Sequence, residues 1–279
     1  MPELPELEIA RRQLVRWAAD HTLAAIHLVD RAVVRKSLST KPSDAVPDAE
    51  AALAPLVGRA PTTFRRHGKR LAIVFGDRAL CLHFGMTGYF ARRPATDPPP
   101  PLARLGLGWS DGQVVWLVDG RRFGCVHVVP ATEVDAVLSS GQGPDLLDVP
   151  PTAASLRVAL RSKKPVKPQL MEQDRVAGLG NIHAAEACFR ARVAPSTPGS
   201  QLTDPQLGAL AAAITAQLAF AIAEADTDGD VAYVNLGGPN PFSVYGRDGQ
   251  PCPTCGSAVQ AEEQAGRTTY WCAVCQPAT

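Results

Sequence analysis

Little in the bulk properties of this 279-residue chain announces a partner. The formal net charge is only +1, from 28 Lys and Arg against 27 Asp and Glu. Any surface for a polyanion must therefore come from local clustering of cations. Long apolar runs are also lacking. No hydrophobic signal segment stands at the N-terminus, which reads as an amphipathic helix. One stretch, residues 207–225, approaches membrane length, but it is alanine-rich and interrupted by Thr215, Gln217 and Glu224. A buried helix explains it better than a membrane span. Cysteines are too few for a disulfide scaffold: there are seven, and four of them form two CxxC pairs. That pattern suits a metal in a reducing cytoplasm. No internal repeat is visible, and the length allows two domains with real cores.

What is present begins at the first six residues, MPELPE. Proline at position 2 favours removal of Met1, which exposes a secondary amine. A free α-amino group has a pKa of about 8, so roughly a tenth is neutral at pH 7, far more than for a lysine side chain. Pro5 suits the first turn of a helix, and Leu7, Ala10, Leu14 and Trp17 follow at helical spacing. A helix start beside the amine disfavours its ammonium form. A neutral secondary amine condenses with an aldehyde-level carbon to an iminium that needs no proton to act as an electron sink. Glu3 and Glu6 stand close enough in sequence to supply the acid. The same two carboxylates also suit an ordinary helix N-terminus.

From residue 22 to about residue 127 the period changes to that of short strands. LAIVF at 71–75, ALCLH at 79–83 and VVWLV at 114–118 are separated by Gly-Asp or Asp-Gly turns, which predicts an antiparallel β-sandwich. FRRHGKR at 64–70 gathers four cations and a histidine before a strand, as a solvated turn or a phosphate site. HFGMTG at 83–88 and DGRRFG at 119–124 each follow a strand. Met86 and Phe123 fit a core, and Arg121 and Arg122 fit a surface, but together they could form wedges for a base stack. A connection at about 130–151 marks a domain boundary. Helical patterning follows, and residues 156–167 carry Arg157, Arg161, Lys163, Lys164 and Lys167 without an acid, a basic helix face. AGLGN at 177–181 reads as a tight turn with Asn181 capping a helix over 182–190, a helix N-terminus suited to phosphate. Another helix begins at a capping box, Thr203 to Gln206, and runs to about Ala225.

The most specific spacing is Cys252-x2-Cys255-x16-Cys272-x2-Cys275. Four thiolates in paired knuckles make a closed tetrahedral Zn2+ site with no open position, so the metal holds the fold and does no chemistry. Between the pairs, residues 257–264 and 267–271 predict a hairpin with Ala265 and Gly266 at its tip and Arg267 beside it. Cys81, Cys125 and Cys188 are expected to fill core positions.

Taken together, PELPE, the GK before a strand, HFGMTG, DGRRFG, AGLGN, VYGRDGxPC and the four-cysteine finger resemble the bacterial formamidopyrimidine-DNA glycosylases (Fpg/MutM) of the Fpg/Nei family, from end to end. The resemblance implies a two-domain α+β fold. Residues 1–130 would be a catalytic β-sandwich flanked by helices and 131–150 a linker. A helix–two-turn–helix DNA-binding domain would span 151–244, and a zinc finger 245–279, with DNA across the cleft. It implies a monomeric bacterial enzyme of the cytoplasm and nucleoid. Its partner would be duplex DNA with damaged bases, no membrane would be involved, and one structural zinc would be bound. The activity would be base excision repair: glycosylase action on oxidised purines, then β- and δ-elimination. Pro2 would attack C1′, Glu3 would donate the proton, Glu6 would support the site, and Lys69 would contact phosphate and assist. Met86, Arg121 and Phe123 would fill the gap left by a flipped base. Asn181 and Arg267 would grip phosphates, and Lys167, near the active site, would be a further DNA-binding residue.

Three departures from the family pattern stand out. Gly120 replaces a usual proline, His183 stands where tyrosine is typical, and residues 226–241, the expected base-covering loop, carry no clear signature. Two other readings compete: a Nei-type enzyme for oxidised pyrimidines, and a zinc-finger protein that binds damaged DNA without cutting it. A generic zinc-ribbon module would leave PELPE unexplained.

Overall fold

The structure, a computed structural model, describes residues 2–38, 41–225 and 240–277. The chain divides into two compact units, with the boundary between Ser140 and Gly141.

The first unit opens with helix α1 (Leu4–Ala18), strand β1 (Leu23–Leu28) and the short helix α2 (Ala49–Leu53). Seven strands follow: β2 (Thr63–His67), β3 (Arg70–Phe75), β4 (Arg78–His83), β5 (Tyr89–Pro94), β6 (Ala103–Trp109), β7 (Gln113–Val118) and β8 (Cys125–Pro130). With β1 they form two four-stranded sheets, ordered β1-β6-β7-β5 and β2-β3-β4-β8, with every pairing antiparallel. This is the sandwich the strand pattern predicts. Its core takes Leu71, Ile73, Phe75, Leu80 and Leu82 from one sheet and Leu105, Leu107, Trp109, Val115 and Leu117 from the other. Leu7, Ala10, Leu14 and Trp17 of α1 complete it. Each such side chain contributes roughly 1.5–3 kcal/mol by leaving water. That burial anchors the helix that begins at the N-terminal amine.

The strands read as continuous apolar runs because both faces are covered. Alternate residues Ala72 and Val74 of β3 meet Val134 and Leu138 of helix α3 (Val134–Ser139) on the outer face. The first half of the stretch expected as a linker, 131–150, is therefore folded onto the sandwich. Arg70 secures it by donating from Nη1 to the carbonyls of Val137, Leu138 and Ser140 at 3.1, 3.1 and 2.8 Å, a cation on the last turn of α3.

The second unit holds α4 (Ala153–Ala159), α5 (Val166–Leu170), α6 (Asn181–Arg190), α7 (Asp204–Ala225) and the hairpin β9 (Gln260–Gln264) and β10 (Arg267–Trp271). The single basic helix face expected over 156–167 is broken. Helix α4 already ends at Ala159, and Pro165 is the N-cap of a separate helix, α5, that starts at Val166. The cations disperse: Arg157 pairs with Asp204 at 2.6 Å and Lys164 with Glu172 at 3.0 Å, while Lys167 is buried. The capping box at α7 forms as predicted, Thr203 N donating to Gln206 Oε1 at 2.9 Å and Gln206 N to Thr203 Oγ1 at 3.4 Å. Half of the most apolar window of α7 is buried inside the protein.

Candidate active site and nucleic-acid interface

Pro2 and Glu3 are buried at the start of α1, Glu3 with 1% exposure. Glu3 is the N-cap, and its amide donates to Glu6 Oε2 at 2.8 Å in a reciprocal capping box. The box fixes the Glu3 backbone next to the amine and turns the Glu6 carboxylate back toward it. Two residues on, the buried Glu8 accepts from Arg11 at 2.9 and 2.7 Å, Arg12 at 2.9 Å and Arg66 at 3.3 Å. Burial raises the Glu8 carboxyl, but these guanidinium groups outweigh it and hold the pKa at about 2. Arg66 also donates to Gly68 O at 3.3 Å. The Glu8–Arg66 pair thus pins α1 to the β2–β3 hairpin, whose two-residue turn, Gly68 (φ +54°) and Lys69, presents the expected lysine.

Lys69, Arg70 and Arg35 surround His83. Burial first, then these charges, depress its pKa to about 4, so the imidazole is neutral at physiological pH. Its Nδ1 accepts from Gly85 N at 3.1 Å, which shapes the loop bearing the half-buried Met86. That loop and the one carrying Arg121 and Phe123 touch backbone to backbone: a Cβ on Gly85 would lie 2.6 Å from Gly124 N and from the Phe123 carbonyl carbon. The φ of +64° at Gly85 adds to the demand for glycine. Asp119, 1% exposed, joins them. Its Oδ1 accepts from Thr87 Oγ1 at 2.5 Å and Arg121 N at 3.1 Å, and its Oδ2 from Gly124 N at 2.6 Å. Arg121 is exposed, and its guanidinium lies 5.0 Å from the centroid of the half-buried Phe123 ring. Gly120 leaves the turn without a proline, and hydrogen bonds to Asp119 and Thr87 aim Arg121 instead.

In the second unit, Asn181 is the first residue of α6 and not its cap, which is Gly180. Its side chain is engaged elsewhere. Oδ1 accepts from Lys167 Nζ, and Nδ2 donates to Thr268 O at 2.9 Å. Lys167 is fully buried and also donates to Thr269 Oγ1 at 2.8 Å. It lies beneath Asn181, so direct contact with DNA, the role expected for it, does not fit its surroundings. Arg267 is exposed beside the hairpin tip, where Ala265 (φ +50°) and Gly266 (φ +71°) make the turn. Asn181 and Arg267 are therefore joined through the start of β10. His183, the second departure, is a packing residue: it is fully buried, pairs with Gln217 at 3.2 Å and meets Phe242 edge-on.

The sulfurs of Cys252, Cys255, Cys272 and Cys275 all lie within 4.8 Å of one another. Cys255 and Cys272 are 3.4 Å apart and Cys252 and Cys275 3.9 Å. Tetrahedral Zn–S bonds of about 2.3 Å require sulfurs roughly 3.8 Å apart, so the donor set fits Zn2+. Burial opposes ionisation at Cys272, but Ser257 and the amides of Cys275 and Val274 pull its thiol down to about 6. Burial and the neighbouring sulfurs push Cys275 up to about 12, a repulsion that a divalent cation would reverse. Cys81, Cys125 and Cys188 are buried as expected, and burial raises all three thiols.

Three family models match the chain. The Formamidopyrimidine-DNA glycosylase N-terminal domain matches residues 1–126, the H2TH domain of the same glycosylase 143–230, and a zinc finger found in FPG and IleRS 249–278. The formamidopyrimidine-DNA glycosylase of Nocardia farcinica is 33% identical, covering 99% of this chain and 98% of the relative. That of Syntrophotalea carbinolica is 35% identical, covering 99% and 100%. The chain belongs to the formamidopyrimidine-DNA glycosylase family. Among solved structures, Lactococcus lactis Fpg bound to abasic-site DNA superposes with a TM-score of 0.85 at 27% identity, over 99% of this chain and 100% of that one. The same Lactococcus protein has been solved with an oxidised pyrimidine in DNA, at TM-score 0.85 and 28% identity over the same shares of the two chains.

Within this family frame, the motifs name the residues of the expected site but not the residues that hold them. Glu8 with Arg11 and Arg12 at helical spacing was a readable signal. The partners Arg66, Thr87 and Thr269 are separated from what they hold by tens of residues and left none, whereas Asp119 lies inside the DGRRFG motif, two residues from Arg121 and five from Gly124. Residues 226–239, most of the expected base-covering loop, and Met1 lie outside the described residues.

Proposed function

We propose that this member of the family is a bifunctional DNA glycosylase and abasic-site lyase that excises oxidised purines from duplex DNA, with Pro2 as nucleophile. The Pro2 nitrogen, freed of Met1, bonds to C1′ of the damaged nucleoside as the C1′–base bond breaks, and the base leaves with the bonding pair and with a proton equal to the one the amine gives up. Glu3 protonates the departing ring oxygen, which opens the sugar and leaves a cationic iminium. Loss of the C2′ proton then expels the 3′ phosphate, and a second elimination expels the 5′ phosphate. Lys69 attracts the phosphate next to the lesion, and Glu6 keeps the helix start in register. Met86, Arg121 and Phe123 fill the space of the extruded nucleotide. Asn181 and Arg267 bind the backbone through the second unit, with Lys167 as support. The zinc keeps the finger folded, in a monomer working at the nucleoid. The domain limits follow the motifs: catalytic sandwich, helical DNA-binding part, finger.

The observation that carries this reading is the buried carboxyl of Glu3, locked by the Glu6 box one residue from the proline amine. Borohydride trapping on lesion-containing DNA, followed by mass spectrometry, should recover the sugar bonded to the N-terminal peptide. An adduct on another amine would overturn the assignment. Glu3→Gln should slow excision by about 100-fold or more. The complex of Lactococcus Fpg with an oxidised pyrimidine gives a second substrate class some weight. A panel of 8-oxoguanine, formamidopyrimidine and thymine glycol duplexes decides between them. Binding without strand scission by the mature protein would leave only a damage-binding role.

A further inference from the structure

Arg122 stands between the two wedge residues and has no role in the proposed reaction, yet its conformation is unusual. Its φ is +59°, the left-handed region that a residue with a Cβ enters only when its surroundings hold it there. Three contacts do so. The guanidinium donates to both carboxylate oxygens of Asp30, from Nε to Oδ2 at 2.9 Å and from Nη2 to Oδ1 at 3.0 Å, a two-pronged geometry that fixes direction as well as distance. The Arg122 carbonyl accepts from Arg35 Nη2 at 3.0 Å. Arg35 is 2% exposed and also donates from Nε to Ala32 O at 3.2 Å.

Asp30 is itself well seated. Its Oδ1 accepts from Ala32 N at 3.1 Å, capping the helical turn Arg31–Val33, and Arg104 Nη1 lies 3.7 Å from its Oδ2. One short segment, residues 30–35, therefore grips both the side chain and the carbonyl of Arg122. On the other side of the loop, Asp119 holds the amides of Arg121 and Gly124.

We infer that Asp30 and Arg122 are positioning residues: their ion pair latches the loop in the one backbone conformation that presents Arg121 and Phe123 for insertion into the DNA duplex. The inference rests on the proposed reading of Arg121 and Phe123 as the residues that fill the vacated space. The latch matters for lesions in duplex DNA, where a stack must be entered. It is irrelevant to an abasic site in a single strand, where no stack and no opposite base exist.

The two substrates provide the test. Asp30→Asn and Arg122→Gly (glycine tolerates the backbone angle but removes the latch) should each raise KM on duplex lesion DNA roughly fivefold, with kcat near wild type. Discrimination among bases opposite the lesion should narrow. Borohydride trapping on a single-stranded abasic oligonucleotide should be unchanged. Asp30→Glu, which keeps the charge, should recover part of the duplex effect. Duplex KM and opposite-base preference at wild-type values in both variants would overturn the latch. Equal losses on the two substrates would also overturn it, by reducing the pair to general stability. Absence of trapping by the wild-type protein itself would instead remove the reading of the reaction, and the latch with it.

Discussion

Lys167 and Arg267 are both cations assigned to the DNA-binding unit, and burial separates their roles. Arg267 is exposed at the hairpin and can displace counterions from a phosphate. Lys167 is fully buried and spends its protons on Asn181 and Thr269. Arg267→Ala should therefore weaken DNA binding and lower the slope of log affinity against log salt by about 0.9. Lys167→Met should also weaken binding, by about tenfold through a misplaced Asn181, but leave that slope unchanged. Titrations at several salt concentrations separate the two. A reduced slope for Lys167→Met would mean that the lysine reaches a phosphate directly.

Among the elements, the decisive contact is the one that ties α1 to the β2–β3 hairpin. Removing one partner of a buried pair leaves the other charge uncompensated, so Glu8→Gln should cost about 3 kcal/mol or more in denaturant unfolding. The same elements set the acid response. His83 has its pKa lowered to about 4 from 6.5, so the unfolded chain binds its proton first. Its contribution is present above pH 6.5 and is lost as pH falls toward 4. Glu8, lowered to about 2 from 4.5, contributes fully above pH 4.5 and loses its share as pH falls toward 2. Unfolding free energy should thus decline in two successive windows. His83→Asn should flatten the upper window and Glu8→Gln the lower one, as read from denaturant melts across pH 2–8. A decline confined to pH below 4 in the wild type would contradict the His83 assignment.

For the whole molecule, two units with separate cores imply separable stabilities. The finger shares a cluster with α6, in which Phe189 and Val244 pack on Cys252, Val259 and Cys272. Gln276 bridges the same region, accepting from Cys272 N at 2.9 Å and donating to Val193 O at 2.8 Å. Zinc removal should unfold the hairpin and release Asn181 and Lys167 from Thr268 and Thr269. The sandwich core, which uses no cysteine ligand, should stay intact. Chelator titration followed by hydrogen exchange should show protection lost over residues 249–277 and retained over 63–83 and 103–130. Lesion binding should fall with the finger. Simultaneous loss of both protection patterns would show that the units unfold as one.

Local chemistry was written along the chain. The cysteine cluster, the helix start at Pro5, the short apolar strands and the Thr203–Gln206 box each depend on neighbours in sequence, and each formed as read. The roles of Lys167, Asn181, His183 and Arg122 did not follow from their neighbours. A lysine in a basic run became a buried support, a capping asparagine turned its amide to β10, and one arginine of a tandem pair was drawn to Asp30. Each outcome was decided by a hydrogen-bonding partner brought close only by folding. Short-range periodicity reports which elements form, whereas burial and long-range pairing decide which of their polar groups remain available to a ligand.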